Sequence, residues 1–369
     1  EVVESDRPRI DYTDSADGVL LLEKAATNLV TYSQNFTDSS WDLLDATIEN
    51  NSSLVTPQGI NGVQELRENS DNDDHLIKSD STFTSSDCSF SVFAKYKGND
   101  RNIKLSLGTG KYASFNLQDG YVFDVQSATT AEIIKLSNGW YRCVINGNIS
   151  ASKLNIILLN DTNEVYQGDG TSGVYIYGAQ LEVGSLSSYI PSQGSAVTRV
   201  AETASGSGNS EVFNDSEGVL FADISALADD GTFRMIGIFD EKTSNEDRIQ
   251  IYYRSDANKM SFLIEENNVN QFVKTLDVTT IQYNKVALKY GNTSKVYING
   301  FKLAEETGIT IPNNLQRLSF NEQNGGNDFY GKTKELAYYN TALTDAELET
   351  LTSYSSLSEL VTELNLNTL

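Results

Sequence analysis

The chain has 369 residues, of which 51 are acidic and 27 basic, so its formal net charge is −24 at pH 7. This charge excludes nucleic acid as a partner, because phosphate binding needs clustered Lys and Arg. It also disfavours unassisted binding to an anionic membrane, and an acidic polysaccharide would need bridging cations or a local basic patch. No run of the sequence approaches the ~18 apolar residues of a membrane helix, so we expect no membrane insertion.

The composition is typical of an all-β protein. Tyr and Phe are plentiful, with 19 and 15 copies, and Ser, Thr, Asn, Asp and Gly recur at short intervals. The length suits two domains of sandwich size. We therefore predict two tandem antiparallel β-sandwich (jelly-roll) domains with short C-terminal helices. The predicted parts are an N-terminal arm, a jelly roll, a linker, a second sandwich and a C-terminal amphipathic helix, at residues 1–26, 27–195, 196–216, 217–352 and 353–369.

The N-terminal arm contains an apolar run, Val19-Leu-Leu-Leu22, which we expect to form a strand that docks on the first domain. The jelly roll then begins, with Phe36 and Trp41 as predicted core residues. His75 is the single histidine, so no catalytic triad or multi-histidine zinc site can form within one chain. Because it lies in an acidic loop, we expect it to be solvated.

Strand patterns dominate the first domain. In Cys88–Tyr96 the apolar residues alternate, so Phe90 and Val92 share one face while Phe93 points the other way. Trp140 follows an Asn-Gly turn and is predicted to be a core residue. Cys88 and Cys143 both fall in predicted strands, where two buried free thiols are favoured over a cross-strand disulfide.

Sugar binding requires aromatic faces with planar polar groups around them. In the first domain the candidates line the outer sheet or its loops, although each tyrosine could instead be half-buried with only its hydroxyl at the surface. In the second domain Tyr252 and Arg254 share a face opposite Ile251 and Tyr253. The first-domain candidates are Tyr96, Arg101, Tyr112 and Tyr121, and the second-domain rim donors are Asn268, Gln271, Asn324 and Asn327.

The second half reads as a meander that ends in helix signals. Asn299-Gly300 predicts a type I′ hairpin, and Thr344-Asp-Ala-Glu347 predicts a capping box. A second box at Ser356-Leu-Ser-Glu359 precedes an apolar stripe at helical spacing. This final helix either docks on its own domain or packs against its copies in neighbouring subunits, and a fibre would favour a trimer.

Carboxylates leave two kinds of chemistry open. Glycosidases need only a carboxyl pair, and a Glu-x-Asp sequence in a strand would point both carboxylates to the same side. The single Glu-x-Asp is Glu4-Ser5-Asp6, which lies in the arm and is followed by Pro8, so it argues against hydrolysis by the second domain. Calcium is the plausible ion. The cluster Asp71, Asp73 and Asp74 is rich in oxygen but lacks the turn glycine of an EF-hand loop. The loops 160–169 and 324–328 could each supply carboxylate, amide and carbonyl oxygens to a structural calcium, with Asp169 and Asp328 as the candidate ligands, although Asp169 also fits a simple turn.

Two resemblances set the functional expectation. The runs Gly178-Ala-Gln-Leu-Glu182, Ser188-Tyr-Ile-Pro191 and Asn138-Gly-Trp-Tyr-Arg142 resemble the carbohydrate-binding-type jelly roll of bacteriophage tail-fibre and other virion adhesion proteins. Lys295-Val-Tyr-Ile-Asn-Gly300 and Tyr339-Asn-Thr-Ala-Leu-Thr-Asp-Ala-Glu347 resemble a concanavalin A-like or laminin-G-like domain.

These resemblances imply a non-enzymatic virion protein, a tail fibre or capsid decoration, that binds host cell-surface glycans and contacts other virion proteins. Jelly rolls of both kinds often hold a structural calcium. A polysaccharide depolymerase with paired carboxylates and a purely structural virion spacer are the alternatives.

Overall fold

The computed structural model of the chain describes residues 8–13, 15–241 and 247–355. It divides into two compact units: the first is Ala25–Val200, and the second joins residues 8–24 to residues 201–355. The second unit is therefore discontinuous in sequence, with the first unit inserted after its N-terminal arm. Residues 356–369 of the predicted C-terminal helix lie outside the described residues.

The arm contributes strands β1 (Ile10–Asp11) and β2 (Val19–Leu22). We predicted that this apolar strand docks on the first domain, and that prediction is wrong. Instead β2 pairs antiparallel with a strand of the second unit, with Leu20 opposite Thr333, and Leu22 joins the core of that unit.

The first unit is a sandwich of two six-stranded sheets, ordered β12-β11-β10-β15-β8-β4 and β13-β14-β9-β17-β6-β5, with two small two-stranded sheets, β16-β7 and β18-β3. The named pairs are antiparallel. Its strands β3 to β18 are, in order, Ala26–Asn28, Trp41–Leu44, Ala46–Val55, Asn61–Glu68, Asn72–Asp74, Leu76–Ser79, Phe83–Lys95, Arg101–Ser106, Tyr112–Asn116, Tyr121–Phe123, Thr130–Lys135, Trp140–Ser152, Asn155–Asn160, Val165–Gln167, Gly173–Val183 and Val197–Arg199.

Alternating apolar side chains from both six-stranded sheets fill the core of the first unit. Phe90, Val92 and Ala94 of β9 face inward, as their spacing predicted. Phe36 and Trp41 are buried as predicted, with ring centroids 5.1 Å apart. Cys88 and Cys143 are buried free thiols, which confirms that prediction.

The second unit is also a sandwich, built from a seven-stranded sheet, β1-β2-β28-β19-β24-β25-β26, and a five-stranded sheet, β23-β22-β21-β20-β27. Its remaining strands β19 to β28 are Gly218–Ala226, Arg234–Phe239, Arg248–Tyr253, Lys259–Glu266, Val269–Asp277, Asn284–Tyr290, Thr293–Ile298, Phe301–Thr307, Arg317–Ser319 and Gly331–Tyr339. The predicted all-β fold class, with antiparallel sandwich domains and a short helix near the C-terminus, is confirmed.

Both local signals of the second unit are present. Asn299 and Gly300 have φ values of 51° and 87° and join β25 to β26 in a tight hairpin. Helix α1 (Asp345–Thr352) begins with the capping box, in which Thr344 Oγ1 accepts from the Glu347 amide and Glu347 accepts from the Thr344 amide. Leu348 of α1 packs with Phe221 and Tyr297 on the outer side of the seven-stranded sheet.

A buried ion cluster ties the arm to the segment at which the chain re-enters the second unit. Arg9 Nε donates to Glu202 Oε1 at 2.7 Å, and its Nη2 contacts both Glu202 and Glu23. The Glu202 amide donates to the Glu23 carbonyl at 2.9 Å. Because both carboxylates share one guanidinium, the arm and residue 202 are held as part of one unit.

Candidate functional site

One sheet of the first unit has its outer side covered by the unit's own chain. Phe93, Trp140 and Tyr177 project from β9, β14 and β17 away from the core and form a second apolar cluster with Tyr189. The rings of Phe93 and Tyr189 meet edge-on at 5.4 Å. Trp140 Nε1 donates to the carbonyl of Val55 at 3.0 Å. Trp140 is therefore buried as predicted, although on this outer side.

The outer side of the other six-stranded sheet presents polar and aromatic groups. Ile103 and Leu105 of β10 and Phe115 of β11 are core residues, so the residues between them project outward. Lys104 lies opposite Ser114, and Ser114 lies opposite Phe123 of β12. We call this surface the Lys104 face and define it by Lys104, Tyr112, Ser114, Asn116, Tyr121 and Phe123.

Lys104 is the centre of this face and is only 4% exposed. Its Nζ forms an ion pair with Glu164 and lies 3.7 Å from Asp124 Oδ2. It also lies 3.8 Å from the centroid of the Tyr112 ring, in a cation–π contact. The ammonium group of this β10 residue thus contacts three other parts of the unit: β11, the loop that carries Glu164 and the segment after β12 that carries Asp124.

Aromatic rings stand at the edge of the face. Tyr121 is 50% exposed, and its ring centroid is 6.1 Å from that of half-buried Phe123. Tyr112 is half-buried, and its hydroxyl accepts from Gln126 Nε2 at 2.9 Å. The predicted candidates Tyr112 and Tyr121 therefore lie on one surface with the polar side chains of the Lys104 face.

Ser114 is a buried polar group of this face with unused hydrogen-bonding capacity. It is 0% exposed, and within the described part of the chain its Oγ has no hydrogen-bond partner. Buried hydroxyl groups normally have a partner. The position of Ser114 between Lys104 and Phe123 places this unpaired group at the middle of the face.

Carboxylates crowd the Glu164 side of the face. Asp74 lies in β7, and burial, followed by repulsion from Glu164 and Asp73, raises its pKa above the usual range. Asp124 and Glu164 are each about half exposed at their side chains, at 50% and 40%. One lysine therefore faces an excess of negative charge.

The other two first-domain candidates lie elsewhere. Arg101 is on the core side of β10, and its Nε and Nη2 donate to Glu68 at 2.6 and 2.8 Å. Its guanidinium also lies 5.1 Å from the centroid of the Tyr166 ring. Tyr96 packs against the core, and its hydroxyl donates to Asp100 at 2.9 Å. Both side chains have structural roles at these positions.

The expectation of a solvated His75 is wrong. The ring is fully buried, lies tilted against the Tyr166 ring with centroids 4.7 Å apart, and has Nδ1 2.6 Å from the Asp45 carbonyl oxygen. A Cβ at Gly168 would lie 2.0 Å from the Asn69 carbonyl oxygen and 2.9 Å from His75 Cε1. The absence of a side chain at Gly168 thus makes room for the buried ring.

The two predicted calcium ligands differ in availability. Both oxygens of Asp169 are used by its own turn, because they accept from Thr171, Ser172 and their amides. Asp328 Oδ2 accepts from Tyr330, whereas its buried Oδ1 has no partner in the described part of the chain. Over residues 8–13, 15–241 and 247–355 no three His, Cys, Asp or Glu side chains are grouped to hold a metal ion.

The five-stranded sheet of the second unit provides a second candidate surface. Ile251 and Tyr253 are core residues, so Tyr252 and Arg254 project outward, as their alternation predicted. The Tyr252 ring lies 6.3 Å from that of Phe233. Arg254 Nε donates to Asp256 at 3.0 Å.

The predicted rim donors of the second domain do not form one group around Tyr252, although Asn327 lies near it, because its carbonyl oxygen accepts from the amide of Met235, the residue opposite Tyr252. Asn268 lies in the turn between β22 and β23, at the other end of β22 from the turn that follows Arg254. Gln271 Oε1 accepts from the Thr310 amide at 3.4 Å. Asn324 Oδ1 accepts from the Gly326 amide at 2.9 Å, and Asn327 Nδ2 donates to Glu322 at 2.8 Å. The Lys104 face is therefore the better assembled of the two surfaces.

Sequence reasoning missed four members of the Lys104 face, namely Lys104, Ser114, Asn116 and Phe123, and the carboxylates beside it, Asp124 and Glu164. A signal for the first was present, because Ile103-Lys104-Leu105 alternates in the same way as Ala113-Ser114-Phe115. The pairing of these two strands, which places Lys104 next to Ser114, is not encoded in either strand alone.

The second unit has a lectin-like fold. Residues 225–349 match the family model described as the Concanavalin A-like lectin/glucanases superfamily, a match that covers less than half of the chain. No curated protein matches. No helix among the described residues has the length and apolar character needed to cross a membrane.

Similar solved structures share low identity and low TM-scores. The CBM40 of the Ruminococcus gnavus IT-sialidase, bound to alpha2,3 sialyllactose, is 18% identical over 42% of this chain and 97% of its own, with a TM-score of 0.34. The heptameric SAP-like pentraxin of Limulus polyphemus is 12% identical over 42% and 76%, with a TM-score of 0.33. Domains LG4-5 of the mouse laminin alpha1 chain are 9% identical over 93% and 96%, with a TM-score of 0.28.

Proposed function

We propose that this protein is a non-enzymatic adhesion protein that binds host cell-surface glycans from a bacteriophage virion, as a tail-fibre or capsid-decoration protein. The observation that carries the glycan-binding part is the Lys104 face, where the rings of Tyr121 and Phe123 stand beside polar groups. Sugar rings pack their C–H faces on such rings, and their hydroxyl groups bond to the polar side chains. The lectin-like fold of residues 225–349 supports the same class of ligand.

The arrangement of carboxylates on the Lys104 face favours binding over hydrolysis. A glycosidase needs one carboxyl group as a proton donor and a second as nucleophile or base. Asp124 and Glu164 instead both contact the ammonium group of Lys104. A depolymerase would release oligosaccharides with new reducing ends, which a colorimetric assay on host polysaccharide detects.

The virion location rests on the resemblance of the first 200 residues to tail-fibre jelly rolls. Such proteins act in several copies, so weak binding at one site is raised by multivalency. We therefore propose a homo-oligomer, with a trimer favoured, that also contacts other virion proteins. Light scattering on the purified chain tests this part, and a monomer would count against display in a fibre.

A glycan array probed with the full chain tests the proposed function. Binding to at least one glycan class is expected, and Tyr121→Ala should weaken it about tenfold, or about 1.4 kcal/mol. Phe301→Ala is the matched control, because Phe301 is 70% exposed and lies in β26, outside both candidate surfaces. Tyr252→Ala reports whether the second unit contributes. No binding to any glycan would refute the proposal.

A structural calcium ion is part of the proposal, with Asp328 as its candidate ligand rather than Asp169. The unpaired buried Oδ1 of Asp328 supports this assignment, whereas the turn of Asp169 already uses both of its oxygens. Calcium should raise the melting temperature of the wild type but not of Asp328→Asn. Equal melting curves in calcium and in chelator would exclude the site.

A further inference from the structure

We propose that the Lys104 face selects glycans that carry unsubstituted amino groups, such as hexosamine residues without an N-acetyl group. The proposal rests on the proposed glycan binding and adds the charge class of the ligand. Three observations support it: the charge balance of the face, the unpaired Ser114 hydroxyl, and the rings beside both.

The first observation is an excess of carboxylate. Asp124 and Glu164 both contact Lys104 Nζ, so two negative charges share one positive charge. Asp74 adds a third acidic group, which Glu164 and Asp73 repel. An anionic sugar would meet repulsion here, whereas a second ammonium group would balance the charge.

The second observation is independent of charge. A protonated amine donates up to three hydrogen bonds and needs acceptors. Ser114 Oγ offers unused acceptor capacity, projects from the same side of the sheet as Lys104, and is fully buried. Because it is fully buried, an ammonium group of a ligand reaches it only when the side chains above it move, and it then adds a third acceptor to the carboxylates of Asp124 and Glu164.

The third observation concerns the aromatic rings. The Tyr112 ring already holds one ammonium group, that of Lys104, at 3.8 Å. Tyr121 and Phe123 present further ring surface at the edge of the face. These rings suit both the flat side of a pyranose and a cation. A lysine side chain offers the cation without that flat side, so the face favours an amino sugar over a basic peptide.

Isothermal titration of the full chain with three short ligands tests this inference at a slightly acidic pH, where amines are protonated. The ligands are a β-1,4-linked glucosamine tetrasaccharide, its fully N-acetylated counterpart and a blocked tetralysine peptide of equal charge. The amine tetrasaccharide is expected to bind at least about tenfold more tightly than the other two. Added salt should weaken this binding.

Charge variants separate the site from the bulk charge of −24. Asp124→Asn and Glu164→Gln should each weaken amine-sugar binding about three- to fivefold. Asp277→Asn removes the same charge from a residue that is 87% exposed at its side chain, in the second unit, and should change nothing. Thermal melting confirms that each variant is folded.

Different failures have different meanings. Equal binding of the two tetrasaccharides, both weakened by Tyr121→Ala, would overturn the amine preference and leave the proposed function intact. Equal binding of tetralysine, or an equal loss in Asp277→Asn, would show simple charge attraction and also overturn it. No binding of either tetrasaccharide or of any arrayed glycan would refute the proposed function itself.

Discussion

Replacing Arg9 with Met should strongly destabilise the second unit. The side chains of Arg9, Glu23 and Glu202 are 12%, 7% and 6% exposed, so Arg9→Met removes the guanidinium group that these two buried carboxylates share. Removing one partner of a buried ion pair costs about 3–5 kcal/mol. For a unit of this size that loss lowers the melting temperature by about 6–20 °C.

Differential scanning calorimetry measures this change, with Arg254→Met as the control. Arg254 pairs with Asp256, whose side chain is 63% exposed, so its loss should cost less than about 1 kcal/mol. Adding Glu23→Gln and Glu202→Gln to Arg9→Met also removes the two carboxylate charges that contacted the guanidinium group, and should recover part of the lost stability. A melting temperature for Arg9→Met within the range of the control would refute a desolvated ion cluster.

Three further predictions concern stability. Gly168→Ala should lower the free energy of unfolding by about 1–3 kcal/mol, because the new Cβ would lie 2.0 Å from the Asn69 carbonyl oxygen. Urea unfolding measures this loss, and an unchanged midpoint would contradict the packing around His75. Thr344→Ala should cost about 1 kcal/mol by removing the cap of α1, whereas Thr344→Ser should retain most of it. Hydrogen bonds from the Ser172 side chain, then from the Ser172 and Thr171 amides, hold the pKa of Asp169 well below its usual range. The stabilisation of the folded state by the ionised Asp169 carboxylate is therefore fully present above about pH 4 and is lost as the pH falls through the folded-state pKa. The melting temperatures of wild type and Asp169→Ala should therefore converge in acid, and a difference that grows in acid would contradict this prediction.

The fold class could be predicted because its signals are local. Alternation in Cys88–Tyr96, the Asn299-Gly300 turn and the capping box at Thr344 each depend on neighbours a few residues away. The partner of β2 could not be predicted, because four apolar residues specify a buried strand without specifying the sheet that accepts it. Long-range strand pairing decides that choice.

The candidate site was predictable only in part, for the same reason. Tyr112 and Tyr121 could be selected as aromatic residues in strands, but a lysine between Ile103 and Leu105 reads as an ordinary exposed residue. Strand pairing and the loop of Glu164 bury its ammonium group. For His75, acidic sequence neighbours predicted solvent, whereas Tyr166 and Gly168, about ninety residues later in the chain, form the buried surroundings of the ring.

The pairing of Leu20 with Thr333 imposes an order on biosynthesis. Strand β2 leaves the ribosome early, yet the strand that accepts it is translated only after the whole inserted unit. The inserted first unit can fold while β2 is still unpaired, because domains generally fold as units during translation. The seven-stranded sheet of the discontinuous unit can therefore be completed only after β28, more than three hundred codons downstream of β2, has been made.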